Sequence, residues 1–192
     1  MFITGIAGGS ASGKSTFAKA LTATLAARAP GLTVQVISTD HHWQDKSGAP
    51  RFFSASAGEE MFNHNHPDAL STDSLFAALD ASEADIVLLE GLMILHVPSV
   101  RDRIDLRLFL ELDADERALR RMLRDMQGGR TVTDPLKIAT YYRESARVGH
   151  AAYVEPSRVH ADIILRGDSD FTRTTQIVAA VIQDRYGAPR KG

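Results

Sequence analysis

The chain has 192 residues, a formal net charge of −2 and no cysteine. That length suits one domain with its own core. The absence of thiols excludes a disulfide framework, a cysteine nucleophile and any Cys-ligated metal, and the near-neutral charge argues against a nucleic-acid partner held by neutralising many phosphates.

Apolar runs alternate with helical patterns along the chain. Phe2 to Ile6 is a short apolar strand candidate. Phe17, Ala20, Leu21 and Leu25 then recur at helical spacing over Ser15 to Arg28, and Pro30-Gly31 ends that helix. Leu32 to Ile37 is a second strand, and residues 41–68 form an irregular stretch long enough to be functional. Ser71 or Thr72 caps a short helix carrying Leu75, Phe76 and Leu79. Ile86 to Leu89 and Leu106 to Leu112 are the third and fourth strands. Ala114 to Met126 and Pro135 to Ala146 are helical, Ile163 to Leu165 is a fifth strand, and Thr174 to Tyr186 closes the chain as a helix. Strand–helix alternation with short, continuously apolar strands predicts a three-layer α/β/α domain around a five-stranded parallel sheet. No window reaches the ~20 apolar residues of a membrane span, and the amino terminus lacks the basic start of a signal peptide. The expectation is a single cytoplasmic domain over 1–192, without membrane or nucleic-acid partners, for which homo-oligomerisation is compatible.

Residues Gly8, Gly9, Ser10, Ala11, Ser12, Gly13, Lys14 and Ser15 fit G-x-x-x-x-G-K-[ST] after a strand and before a helix, with Thr16 next in the helix. Such a loop wraps a phosphate chain in backbone N–H groups at a helix amino terminus. Lys14 would reach the β- and γ-phosphates of ATP, and the Ser15 hydroxyl would bind Mg²⁺. No N-K-x-D base-reading motif of a GTPase is present. A small-molecule kinase fits best.

Two carboxylates end apolar strands on the edge where such sheets bind ligands. Asp40 ends the second and is placed to orient or deprotonate an attacking hydroxyl. Glu90 ends the third and is suited to Mg²⁺, directly or through water. Arg117, Arg120, Arg121 and Arg124 share one helix face, with Arg130 beyond Gly128-Gly129. Arg117 and Arg120 read as a solvated, salt-bridged face, and Arg124 and Arg130 as a hinged flap over the transferring phosphoryl group. His41, His42, His64 and His66 lie in loops without a third ligand type and suit hydrogen bonding to a polar substrate better than zinc.

The ordered set GGSASGKST, STDHHW, NHNHPDAL, DIVLLEGLMIL, RRMLRD and YYRESARVGHAAYVEPSRVHADIIL resembles the uridine kinase and phosphoribulokinase family of P-loop kinases, from Met1 to about Asp168. The resemblance implies Lys14, Ser15, Asp40 and Glu90 in the roles above and Arg124 and Arg130 in an Arg-bearing lid at about 117–147. It also implies substrate-binding roles, within a substrate loop at 41–68, for Trp43, Asn65 (where the family carries an Asp against ribose hydroxyls) and His66, and for Arg147 further along. Only Leu70 to Ala84 separate H-P-D-A from the third strand, which leaves no room for the hairpin with which uridine kinases enclose the pyrimidine. The expectation is therefore an ATP- and Mg²⁺-dependent kinase acting on a hydroxyl of a small molecule, a nucleoside first. A non-nucleoside alcohol (pantothenate, a sugar or sugar phosphate, nicotinamide riboside) is the alternative, and an ATP-binding regulator without kinase activity the other class.

Overall fold

A computed structural model of the chain describes residues 1–129 and 132–187. Its sheet has five parallel strands: β1 (Phe2–Gly8), β2 (Val34–Ser38), β5 (Ile86–Gly91), β6 (Leu106–Glu111) and β7 (Ile163–Arg166), in the order β2-β5-β1-β6-β7. Successive side chains of a strand point to opposite faces, and here both faces are covered. Ile3, Val87, Leu89 and Phe109 face one layer, with Leu75 and Leu79 from α2 (Thr72–Asp80) and Val100 from α3 (Pro98–Arg101). Phe2, Ile6, Ile86, Leu88 and Leu108 face the other, against Phe17, Leu21 and Leu25 of α1 (Lys14–Arg28) and Val178 and Ile182 of the closing helix Phe171–Gly187. Each such fully buried aliphatic side chain stabilises the fold by about 1.5–3 kcal/mol relative to exposure. That burial is why the strands read as unbroken apolar runs.

Register places the chemistry. Glu90 lies opposite Ile6 of β1 on one side and Ser38 of β2 on the other. The phosphate loop after β1, the turn after β2 and the carboxylate at the end of β5 therefore leave the sheet at one edge. The order reverses around β1, the position at which open α/β sheets form a binding crevice.

The 41–68 stretch is more ordered than its composition suggests. A 3₁₀ turn (Thr39–His41) is followed by an antiparallel hairpin of β3 (Arg51–Ser54) and β4 (Glu59–Phe62). Residues 70–84 hold α2 and no hairpin, as expected, but one stands earlier in the chain. It is pinned by side chains distant in sequence: Ser54 and Ser56 donate hydroxyl hydrogen bonds to Glu144, and Phe52 meets Tyr141 edge-on at 5.8 Å.

After β6, α4 (Ala114–Arg124) runs into a π turn, Asp125–Gly129, where Gly128 has φ +85° and breaks the helical path. Asp134 then caps α5 (Pro135–Tyr141) through the Lys137 N–H. The helical run continues past Ala146, through π turns at Tyr142–Ala146 and His150–Val154, to His160. Among the described residues no helix is long and apolar enough to cross a membrane.

Candidate active site

The loop from Gly8 to Ser15 curls tightly: Ser12 N–H donates to Gly9 O at 3.1 Å, and Ala11 takes a left-handed backbone with φ +63°. Its buried back is Gly8, Gly9 and Ser12; Ser10, Ala11, Gly13, Lys14, Ser15 and Thr16 face a cavity of about 1210 Å³. Lys14 Nζ donates to Gly9 O at 2.8 Å. Burial pushes its pKa down to about 8, Glu90 and Asp40 pull upward, and Arg124 and Arg117 push down. An ammonium already stripped of most of its water loses little further hydration when an anion binds. Ser15 Oγ donates to Glu90, at 2.8 Å from Oε1 and 3.0 Å from Oε2. A hydroxyl and a carboxylate thus meet as hard oxygen donors at the loop's mouth, the donor set Mg²⁺ takes.

Asp40 lines the same cavity from the turn after β2. Trp43 and His64 line it too, with ring centroids 5.1 Å apart. Phe62 and Met61 of the hairpin extend this wall.

The lid face differs from expectation at its base. Arg117 is only 6% exposed, and its Nε donates to Leu112 O at 3.0 Å. It faces inward because α4 starts right beside the phosphate loop. Arg120 pairs with Glu116 at 2.6 Å, as a solvated helix pair would, and also donates to Gly167 O at 3.0 Å. Arg124 lines the cavity and is held by Asp125 at 2.8 Å. Arg130 lies outside the described residues.

Two expected substrate residues do not reach the cavity. His66 turns its ring toward Tyr153, 5.2 Å between centroids, and its Nδ1 accepts from Asp68 N–H. Arg147 is exposed and absent from the lining, because the helical run places its position on the outer side of the buried Ser145-Ala146 pair. Asn65 does border the cavity, but its amide is committed to Ser145 Oγ at 2.9 Å and Tyr141 Oη at 3.3 Å. It secures the hairpin base to α5.

Three residues of the site had no role assigned from the sequence. Arg121 donates to Ser10 Oγ of the phosphate loop at 3.1 Å. Asp125, 3% exposed, sits between Arg121 and Arg124. Tyr141 accepts from His64 N–H and donates to Phe62 O, tying hairpin to lid. The Arg121–Asp125 spacing of four was a visible signal; the Tyr141 contacts had none.

A phosphate-binding loop joining strand to helix, faced by carboxylates from two neighbouring strand ends, defines a P-loop phosphotransferase. Known proteins narrow that class. The model of the Phosphoribulokinase / Uridine kinase family matches residues 80–171. A uridine kinase of Alkaliphilus metalliredigens is 31% identical over 94% of this chain and 96% of its own length, and one of Chloroflexus aurantiacus is 32% identical over 94% of each. A solved structure assigned as a fructose transport system kinase, from Silicibacter sp. TM1040, shares the fold with TM-score 0.57 at 17% identity, over 85% of this chain and 89% of that one. The chain belongs to the phosphoribulokinase and uridine kinase family, and it is a phosphotransferase whose acceptor is an alcohol group of a small molecule.

Proposed function

We propose that this enzyme transfers the γ-phosphoryl group of ATP, with Mg²⁺, to a hydroxyl of a nucleoside. The carrying observation is that Asp40 and the Trp43–His64 wall share one cavity with Lys14, Ser15 and Glu90. In this reading the loop amides and Lys14 hold the β- and γ-phosphates. Ser15 and Glu90 supply the oxygen ligands of Mg²⁺, which when bound neutralises phosphate charge. Asp40 orients the acceptor hydroxyl and takes its proton as the oxygen–phosphorus bond forms and ADP leaves. Arg124 and Arg130 close over the transferring group and exclude water. The whole of 1–192 acts as one domain, with a lid at about 117–147 and the hairpin-bearing substrate arm at 41–68, drawing on cytoplasmic ATP.

A planar acceptor suits the aromatic wall of Trp43, Phe62 and His64. A sugar phosphate suits it less: Arg51 pairs with Glu60 at 3.2 Å and stacks over Phe62, and Arg147 does not line the cavity. The relatives named uridine kinase support the nucleoside reading. The test is a coupled ADP-release screen with ATP, Mg²⁺ and a panel of nucleosides, sugars, sugar phosphates and vitamin alcohols. Turnover stimulated by nucleosides is expected; stimulation only by a non-nucleoside alcohol overturns the acceptor, and none by any alcohol overturns kinase activity in favour of a regulator.

A further inference from the structure

Among the described residues Arg117 is the one arginine of α4 that neither lines the cavity nor meets a carboxylate. It is 6% exposed, and the single described hydrogen bond of its side chain runs from Nε to Leu112 O. Its guanidinium backs the phosphate loop: a Cβ on Gly9 would stand 2.9 Å from Arg117 Nη1 and Cδ, and 3.0 Å from His150 Nδ1. Gly9 is thus the residue that lets a cation approach the loop's main chain from behind. A desolvated charge without a counter-charge is expensive to keep, and proteins retain one where an anion arrives later. His150 adds no charge of its own here. Its Nδ1 is buried without a hydrogen-bond partner, its Nε2 lies 3.2 Å from Glu155, and burial together with Arg117 pushes its pKa down to about 4.

The loop's other tether is Lys14, whose Nζ holds Gly9 O from the cavity side. If Lys14 turns to the phosphates when they bind, as the donor reading above requires, that tether is released and Gly9 needs support from its other side. We propose that Arg117 is a positioning residue for the donor's phosphate chain: a buried guanidinium behind Gly9 whose counter-charge is the bound polyphosphate, and which holds the loop in its binding curl. This rests on the assignment of a nucleoside triphosphate as donor.

The experiment measures equilibrium binding of MgATP and of base-free inorganic tripolyphosphate, with thermal melting of the ligand-free protein, for wild type, Arg117→Met, Arg117→Gln and Arg117→Lys. Gln keeps a donor for the Leu112 carbonyl and serves as neutral variant should Met not fold. At an effective dielectric near 20, a charge within roughly 12 Å of the phosphates accounts for a factor of about ten or more, so its loss weakens both ligands at least about tenfold in the neutral variants. Lys should recover much of that loss, and the ligand-free melting temperature of Arg117→Met should be unchanged or higher, because an uncompensated buried charge has gone. The proposal is overturned if the neutral variants bind both ligands within about twofold of wild type. It is equally overturned if Lys binds as poorly as Met while both melt early, the pattern of a packing role. A wild-type chain that binds neither ligand overturns the donor assignment and this proposal with it, and that result is read from the wild-type titration alone.

Discussion

Ser15 donates its hydroxyl hydrogen bond to Glu90 across 75 residues of sequence, one residue leaving the phosphate loop and the other ending β5. The register that sets Glu90 opposite Ile6 makes this meeting unavoidable once β1 and β5 pair. Glu90 is 7% exposed, so its charge is held close to Ser15 and Lys14 rather than dispersed into water. Glu90→Gln keeps an acceptor for Ser15 and should fold. It removes the charge, so the Mg²⁺ concentration for half-maximal turnover should rise about 10–100-fold, as for lost ligand-shell groups in other metal sites. A Mg²⁺ titration of turnover checks this; an unchanged midpoint would take Glu90 out of the metal site.

Asp40 should behave differently from Glu90. It faces the cavity from the turn after β2, and its proposed partner is the acceptor hydroxyl rather than the phosphates. Asp40→Asn should cut turnover about 10²–10⁴-fold, the range for a lost general base, while ATP affinity measured by titration stays nearly intact. Equal losses in turnover and ATP affinity would assign Asp40 to the donor instead.

These two carboxylates show why much of the site was legible in the sequence. Each ends an apolar run, and a parallel sheet delivers every strand end to one edge, so composition and order sufficed to group Asp40 and Glu90 with Lys14. The hairpin was not legible. Arg51 to Phe62 carries its large apolar residues in adjacent pairs, Phe52-Phe53 and Met61-Phe62, rather than in strand alternation, and it is held, with Asn63 at its base, by Glu144, Tyr141 and Ser145 from a helix some eighty residues on. Such contacts leave no local pattern. Arg117 failed for a related reason: a helix face full of arginine looks solvated until the loop it packs against is in place. Arg147 was carried over by resemblance alone, and His66 by resemblance and as one of the loop histidines suited to a polar substrate; the local path of the chain turns both from the cavity.

Asp125 anchors the lid. It accepts from Arg124 Nε at 2.8 Å and lies 3.5 Å from Arg121 Nε, while Arg121 reaches on to Ser10. Asp125→Ala would leave two guanidinium groups without this partner, one of them only 14% exposed. The expected cost is about 1–3 kcal/mol of ligand-free stability, measured by denaturant unfolding. Because bound phosphates would offer the same arginines a new anion, saturating MgATP should narrow the gap between variant and wild type; a gap unchanged by MgATP would show that these arginines do not face the donor.

His150 gives a pH window with a definite sign. Burial first, then Arg117, holds its pKa at about 4 in the fold against the ordinary 6.5, with Glu155 pulling upward. Between these values the unfolded chain binds the proton that the folded chain refuses, so stability rises with pH through that interval. The contribution is fully present above 6.5 and is lost as pH falls through about 4. His150→Gln removes the titration, so its unfolding free energy should change less than that of wild type from pH 6.5 down to 4. Parallel curves would place the ionisation elsewhere. Arg117→Met offers a sharper check, since it deletes the cation with the largest downward pull on His150: the His150 ring proton resonances should titrate at a higher pH than in wild type, and an unmoved midpoint would separate the two side chains electrostatically despite their shared approach to Gly9.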